Sequence, residues 1–70
     1  MRRVTMTENE SMTSFMISDA DTPFQILSHF HIDPNKNLVF INGSLLPVSR
    51  MNEPISNKGN IFMSVRRKTV

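Results

Sequence analysis

Thr22-Pro23-Phe24-Gln25-Ile26-Leu27-Ser28-His29-Phe30-His31-Ile32-Asp33-Pro34 is the stretch on which the fold turns. The Thr22 hydroxyl can accept from a free backbone N–H at a helix start, Pro23 suits the first helical position, and Gln25 stands where a capping-box partner reaches back. A helix is therefore predicted over residues 22 to 31. Ile26, Leu27 and Phe30 form one apolar stripe along it, while Gln25, Ser28 and His29 can face water. Asp33-Pro34 ends it, because a residue before proline is pushed out of the helical region and proline itself donates no backbone hydrogen bond.

Beyond the helix, Asn37-Leu38-Val39-Phe40-Ile41 is a short apolar run closed by Asn42-Gly43, a pair that readily takes the positive φ angles of a tight hairpin turn. A short strand at Leu45-Leu46 should follow, limited by Pro47 to a brief edge element. Residues 49 to 55 read as an irregular crossing and Asn57-Lys58-Gly59-Asn60 as a turn. Ile61-Phe62-Met63-Ser64-Val65 is a final strand with Ile61, Met63 and Val65 on one face. Before the helix, Arg3-Val4-Thr5-Met6-Thr7 has the period of a half-buried strand, and residues 8 to 11 break it. Met12 to Ile17 is the second arm of a hairpin, with Phe15 and Ile17 on one face and Met12 and Met16 on the other. The expected core joins Ile26, Leu27, Phe30, Val39, Ile41, Met63 and Val65, and most of the Phe residues should face it.

Seventy residues make one domain, 1–70, since a chain this short buries only ~60% of the surface its unfolded form exposes. That excludes a two-domain enzyme. Apolar residues at 39% and charged residues at 20% are ordinary globular usage, enough for a core and too little charge for a disordered chain. With no cysteine, neither a disulfide nor a thiolate metal site can contribute, so stability rests on packing. Met1-Arg2-Arg3 leads into a polar stretch instead of a signal-peptide core, and no apolar run approaches the ~20 residues of a membrane span. A cytoplasmic monomer is expected, with no membrane partner.

The element order, ββαβββ, resembles the β-grasp (ubiquitin-like) fold, an α+β domain in which a mixed sheet packs on one helix. Residues 22 to 43 resemble more closely the small sulfur-carrier proteins of thiamin and molybdopterin synthesis. Those proteins end a capped helix in a Leu-Gly-Leu-Asp-Pro-like turn and then run through an apolar strand to Asn-Gly. The matching residues are Phe30-His31-Ile32-Asp33-Pro34, Leu38 to Ile41, and Asn42-Gly43. His31 stands where that pattern has glycine, so the resemblance implies a positive φ there. It also implies parallel pairing of the first and last strands. Carrier chemistry in the family runs on a C-terminal Gly-Gly that is adenylated and converted to a thiocarboxylate. Here the last residues are Arg67-Lys68-Thr69-Val70 and no glycine follows Gly59, so the expectation is the scaffold without the carrier chemistry. A carrier whose tail lies outside these seventy residues is the alternative.

No enzyme and no cofactor are expected. His29 and His31 are two apart, about 200° around a helix, and cannot converge on one metal. None of the serines stands in a nucleophile motif, and there is no Gly-rich phosphate loop. What remains is surface. Exposed apolar residues on a sheet face or edge are the usual contact points of ubiquitin-like modules, and two groups qualify: Leu45, Leu46, Val48 and Met51, on and after the short edge strand, and Met12 with Met16 on the outer face of the second strand. An unidentified protein partner follows from them. Arg66, Arg67 and Lys68 are candidate anion-binding residues, and a weak nucleic-acid binder is a further alternative. It is disfavoured because the parallel pairing that the resemblance implies would set Arg2 and Arg3 roughly 15 Å or more from Arg66 to Lys68 at about 3.3 Å per residue, with Glu8 and Glu10 partly neutralising the latter, and because Tyr and Trp are missing.

Overall fold

Strand alternation and two well-capped turns build the chain in the computed structural model, which describes residues 1–56 and 59–69. The strands are β1 (Arg2–Glu8), β2 (Ser11–Ile17), β3 (Asn37–Ile41), β4 (Ser44–Leu45) and β5 (Ile61–Arg67). One helix, α1 (Pro23–His29), follows β2, and a 3₁₀ turn, Val48–Arg50, lies between β4 and β5. The result is an α+β fold with a mixed five-stranded sheet ordered β2-β1-β5-β3-β4. β1 and β5 pair in parallel and all other neighbours are antiparallel. The turn read at residues 57 to 60 lies partly outside the described residues, as does Val70.

Helix α1 is shorter than expected at both ends because capping groups take its outer positions. Thr22 is extended and accepts from the Gln25 N–H at 3.3 Å, while the Thr22 N–H donates to Gln25 Oε1 at 2.8 Å, closing the capping box. At the other end His31 has φ 59°, its N–H donates to the Ser28 carbonyl at 3.1 Å, and the Ile32 N–H donates to the Leu27 carbonyl at 2.9 Å. This is a Schellman motif with histidine in the glycine position, and Leu27 and Ile32 supply the buried apolar contact that accompanies it.

Asn42 and Gly43 both have positive φ, 49° and 86°, and turn β3 into β4. Asn42 also ties the turn to β5: its N–H donates to the Phe62 carbonyl and its Oδ1 accepts from the Phe62 N–H, each at 2.8 Å. One side chain thus extends the β3–β5 ladder past the end of β3.

The inner sheet face carries Val4, Met6, Val39, Ile61, Met63 and Val65 against Ile26 and Leu27 of the helix. Two corrections to the sequence reading concern what fills this core. Met51, expected in an exposed patch, is 1% exposed and belongs to the core together with Ile55. The crossing is anchored there by the Phe24 N–H, which donates to the Met51 carbonyl at 2.9 Å. Conversely, none of the five Phe residues is fully buried: Phe15, Phe30 and Phe40 are half-buried, and Phe24 and Phe62 are exposed. Aliphatic and Met side chains fill the core, and the Phe15 and Phe30 rings pack at its rim. Phe15 and Phe30 meet there with centroids 5.0 Å apart.

Candidate interaction surface on the outer sheet face

Because side chains alternate across a strand, every inward residue of the sheet fixes its neighbours outward. With Ile61, Met63 and Val65 inside, Phe62, Ser64 and Arg66 point out; with Val39 and Ile41 inside, Leu38 and Phe40 do. The register joins them into rows. Leu45 lies opposite Phe40, Phe40 opposite Ser64, Ser64 opposite Thr7, and Thr7 opposite Met12. In the adjoining row Phe62 sits opposite Thr5, and Thr5 opposite Ser14.

The outer face is therefore two apolar areas separated by a band of hydroxyls. On the β4–β3–β5 side stand Leu45, Phe40, Leu38 and Phe62, of which Phe62 is 59% and Leu45 56% exposed. On the β2 edge stand Met12 and Met16, 71% and 50% exposed. Thr5, Thr7, Ser14 and Ser64 form the band, with Thr5 Oγ1 and Ser14 Oγ 3.3 Å apart. The strands add Arg3 and Arg66 to this face and no carboxylate, since Glu8 lies on the helix side in a cleft with His31, Asp33 and Arg67.

The residues singled out from the sequence divide accordingly. Leu45 is on the apolar area and Val48 is exposed on the 3₁₀ turn, but Leu46 is half-buried against the core and Met51 is inside it. Met12 and Met16 lie outward as expected, on the far edge. Arg66 and Arg67 alternate to opposite sides of the sheet, and the Lys68 N–H donates to the Lys36 carbonyl at 3.0 Å. Arg2 and Arg3 divide in the same way. Arg3 is exposed outward, while Arg2 is drawn to the start of β1, where Nε approaches Asp19 at 3.3 Å and Nη2 donates to the Ile55 carbonyl at 2.9 Å. His29 lies edge-on to the Phe30 ring, and among the described residues no three His, Asp or Glu side chains gather as metal ligands.

Leu38, Phe40 and Phe62 are the surface residues that sequence reasoning missed. The signal was present: an apolar side chain alternating with a buried one in a strand must face the opposite side, and Phe62 between Ile61 and Met63 does so. Searched against protein-family models, curated proteins and solved structures, the chain finds no match.

Proposed function

We propose that the chain is a β-grasp module of the ubiquitin-like kind that acts by protein–protein contact through the apolar half of its outer sheet face. Support for the fold assignment comes from the parallel β1–β5 pair at the centre of the order β2-β1-β5-β3-β4, and from the single helix that follows the first hairpin. The Schellman turn at His31 and the Asn42-Gly43 turn stand where the sulfur-carrier resemblance expects them. Carrier chemistry is not part of this reading, which rests on the sheet face alone. The reading is of a non-enzymatic, cytoplasmic protein. Among the described residues no helix is long and apolar enough to cross a membrane.

The observation that carries the proposal is the exposure of Phe62 and Leu45 beside Phe40 and Leu38 on three adjacent strands. Few central apolar anchors dominate most protein interfaces, and aromatic ones above all. Phe62→Ser should therefore weaken a partner complex by about 1–3 kcal/mol. Phe24→Ser, at a similarly exposed ring on the helix, is the control and should leave the complex intact. Isothermal titration of a captured partner against both variants is the test, and equal loss in the two would remove the sheet face from the proposal.

A second reading is favoured by one observation. Phe40 and Phe62 are diagonal neighbours on a face that also carries Arg3 and Arg66 and no strand carboxylate, an arrangement on which nucleic-acid bases can stack. Titration with short single-stranded oligonucleotides separates the two. A salt-sensitive complex tighter than about 10⁻⁶ M at physiological salt would replace the protein-contact reading.

A further inference from the structure

The two edges of the sheet are not alike. β4 has two residues, the Leu46 N–H is already given to the Val39 carbonyl at 2.8 Å, and Pro47 then removes the next donor. β2 has seven residues, Ser11-Met12-Thr13-Ser14-Phe15-Met16-Ile17, with no charge, no proline and no glycine, paired to β1 in unbroken register. It lacks each device by which edge strands ordinarily avoid pairing: shortness, a charged residue, a proline, a bulge or a cover.

The free backbone groups of this edge follow from the hairpin. A two-residue loop, Asn9-Glu10, makes Glu8 and Ser11 a hydrogen-bonded pair, and alternation makes Thr13, Phe15 and Ile17 bond to β1 likewise. The N–H and C=O groups of Met12, Ser14 and Met16 therefore point away from β1, and among the described residues they find no other backbone partner.

We propose that β2 is a homotypic docking edge, on which two copies of the chain pair antiparallel along Ser11–Ile17 about a twofold axis at Ser14. The strand is nearly symmetric about that residue. Met12 meets Met16 of the second copy, Ser14 meets Ser14, Thr13 meets Phe15, and Ser11 meets Ile17. Three hydrogen-bonded pairs form, Met12 with Met16 at each end and Ser14 with Ser14 at the centre. A shift of the axis by one residue either way leaves one of these outward groups without a partner inside the strand. The exposed Met12 and Met16 side chains come together in facing pairs, and the partly open Phe15 gains a neighbour in Thr13.

Charge selects the second copy as the occupant. An uncharged strand set against itself places no like charges opposite each other. The nearest acids are also accommodated, since Glu10 would face Ser18 and Asp19 is engaged by Arg2. A charged peptide strand would find no complementary charge along this edge. Two seven-residue strands joined edge to edge form a limited contact beside the roughly 1,200–2,000 Å² of stable interfaces, so a weak, concentration-dependent assembly is expected. This departs from the monomer expected from the sequence, and it does not rest on the outer-face reading.

Sedimentation equilibrium from about 10 μM to about 1 mM spans the affinities such a contact reaches. The expected result is a mass rising toward twice that of one chain. Ser14→Lys, which sets two ammonium groups across the axis at an exposed position, should hold the mass at one chain with an unchanged circular dichroism spectrum. Leu45→Lys, on the opposite edge, should leave the rise intact. Amide exchange on the unmodified protein gives an independent reading. Protection should grow with concentration at Met12, Ser14 and Met16 and stay level at Thr13 and Phe15. A single-chain mass throughout, an assembly that survives Ser14→Lys, or protection without this alternation would overturn the proposal. Phe62→Ser tests the outer face without touching this edge, so failure of either idea is distinguishable from failure of the other.

Discussion

Met51→Ala is the perturbation that most directly tests how the crossing segment is held. Met51 follows the 3₁₀ turn and is 1% exposed, and the substitution removes its Cγ, Sδ and Cε atoms while leaving in place the carbonyl that accepts from the Phe24 N–H. Three buried heavy atoms at about 0.8 kcal/mol each give a transfer loss near 2 kcal/mol. The cavity left behind raises this to about 3 kcal/mol, within the range measured for burial-site Met→Ala changes. At roughly 0.05–0.15 kcal/mol per residue, a chain of this length has a total stability of about 4–10 kcal/mol. Roughly 30% or more of it would be lost. Urea unfolding followed by far-UV circular dichroism should show the midpoint falling by about 3 M, for a slope near 1 kcal/mol/M. Val48→Ala, at an exposed residue of the same segment, is the internal control and should move stability by less than about 0.5 kcal/mol. If Met51→Ala costs no more than Val48→Ala, the segment is not anchored through this side chain and the account of the core is wrong.

Two further outcomes concern the ends of α1. Thr22→Ala removes the capping-box hydroxyl and should lower stability by about 1 kcal/mol in the same urea assay, whereas Thr22→Ser should retain most of it. His31→Gly relieves a β-carbon from φ 59° at the Schellman position and should raise stability by about 0.5–1 kcal/mol, the left-handed penalty less the entropy of glycine; a loss of stability would show that the imidazole contributes more than the strain costs.

Local chemistry made most of the elements legible in advance. Thr22, Pro23 and Gln25 announce a helix because each satisfies or dispenses with an orphan N–H within three residues of itself, and Asn42-Gly43 announces a turn because few pairs accept two positive φ angles. Period-two alternation assigned faces to β1, β2 and β5 for the same reason: the side-chain direction in a strand depends only on the residue before and after.

The surface was less legible, and Met51 and Phe62 show why. Met51 lies in a segment with no period, where nothing in the neighbouring residues says whether a methionine points in or out. Its burial was decided by the passage of that segment beneath α1, signalled by the Phe24–Met51 backbone bond. Alternation with Ile61 and Met63 turns Phe62 to the opposite side, but its exposure depends on whether anything covers the outer face of the sheet, and with α1 on the inner face only the tertiary arrangement answers that. The basic residues divide on the same principle. Arg2 with Arg3, and Arg66 with Arg67, are adjacent in sequence, yet the pleat turns each pair to opposite sides of the sheet. The chain by itself determined its helix, its turns and which residues share a strand face, because those depend on neighbours within a few positions. Which face is covered, which loop residue reaches the core and which edge stays open were decided by contacts between segments far apart in sequence, and only the tertiary structure brings those together.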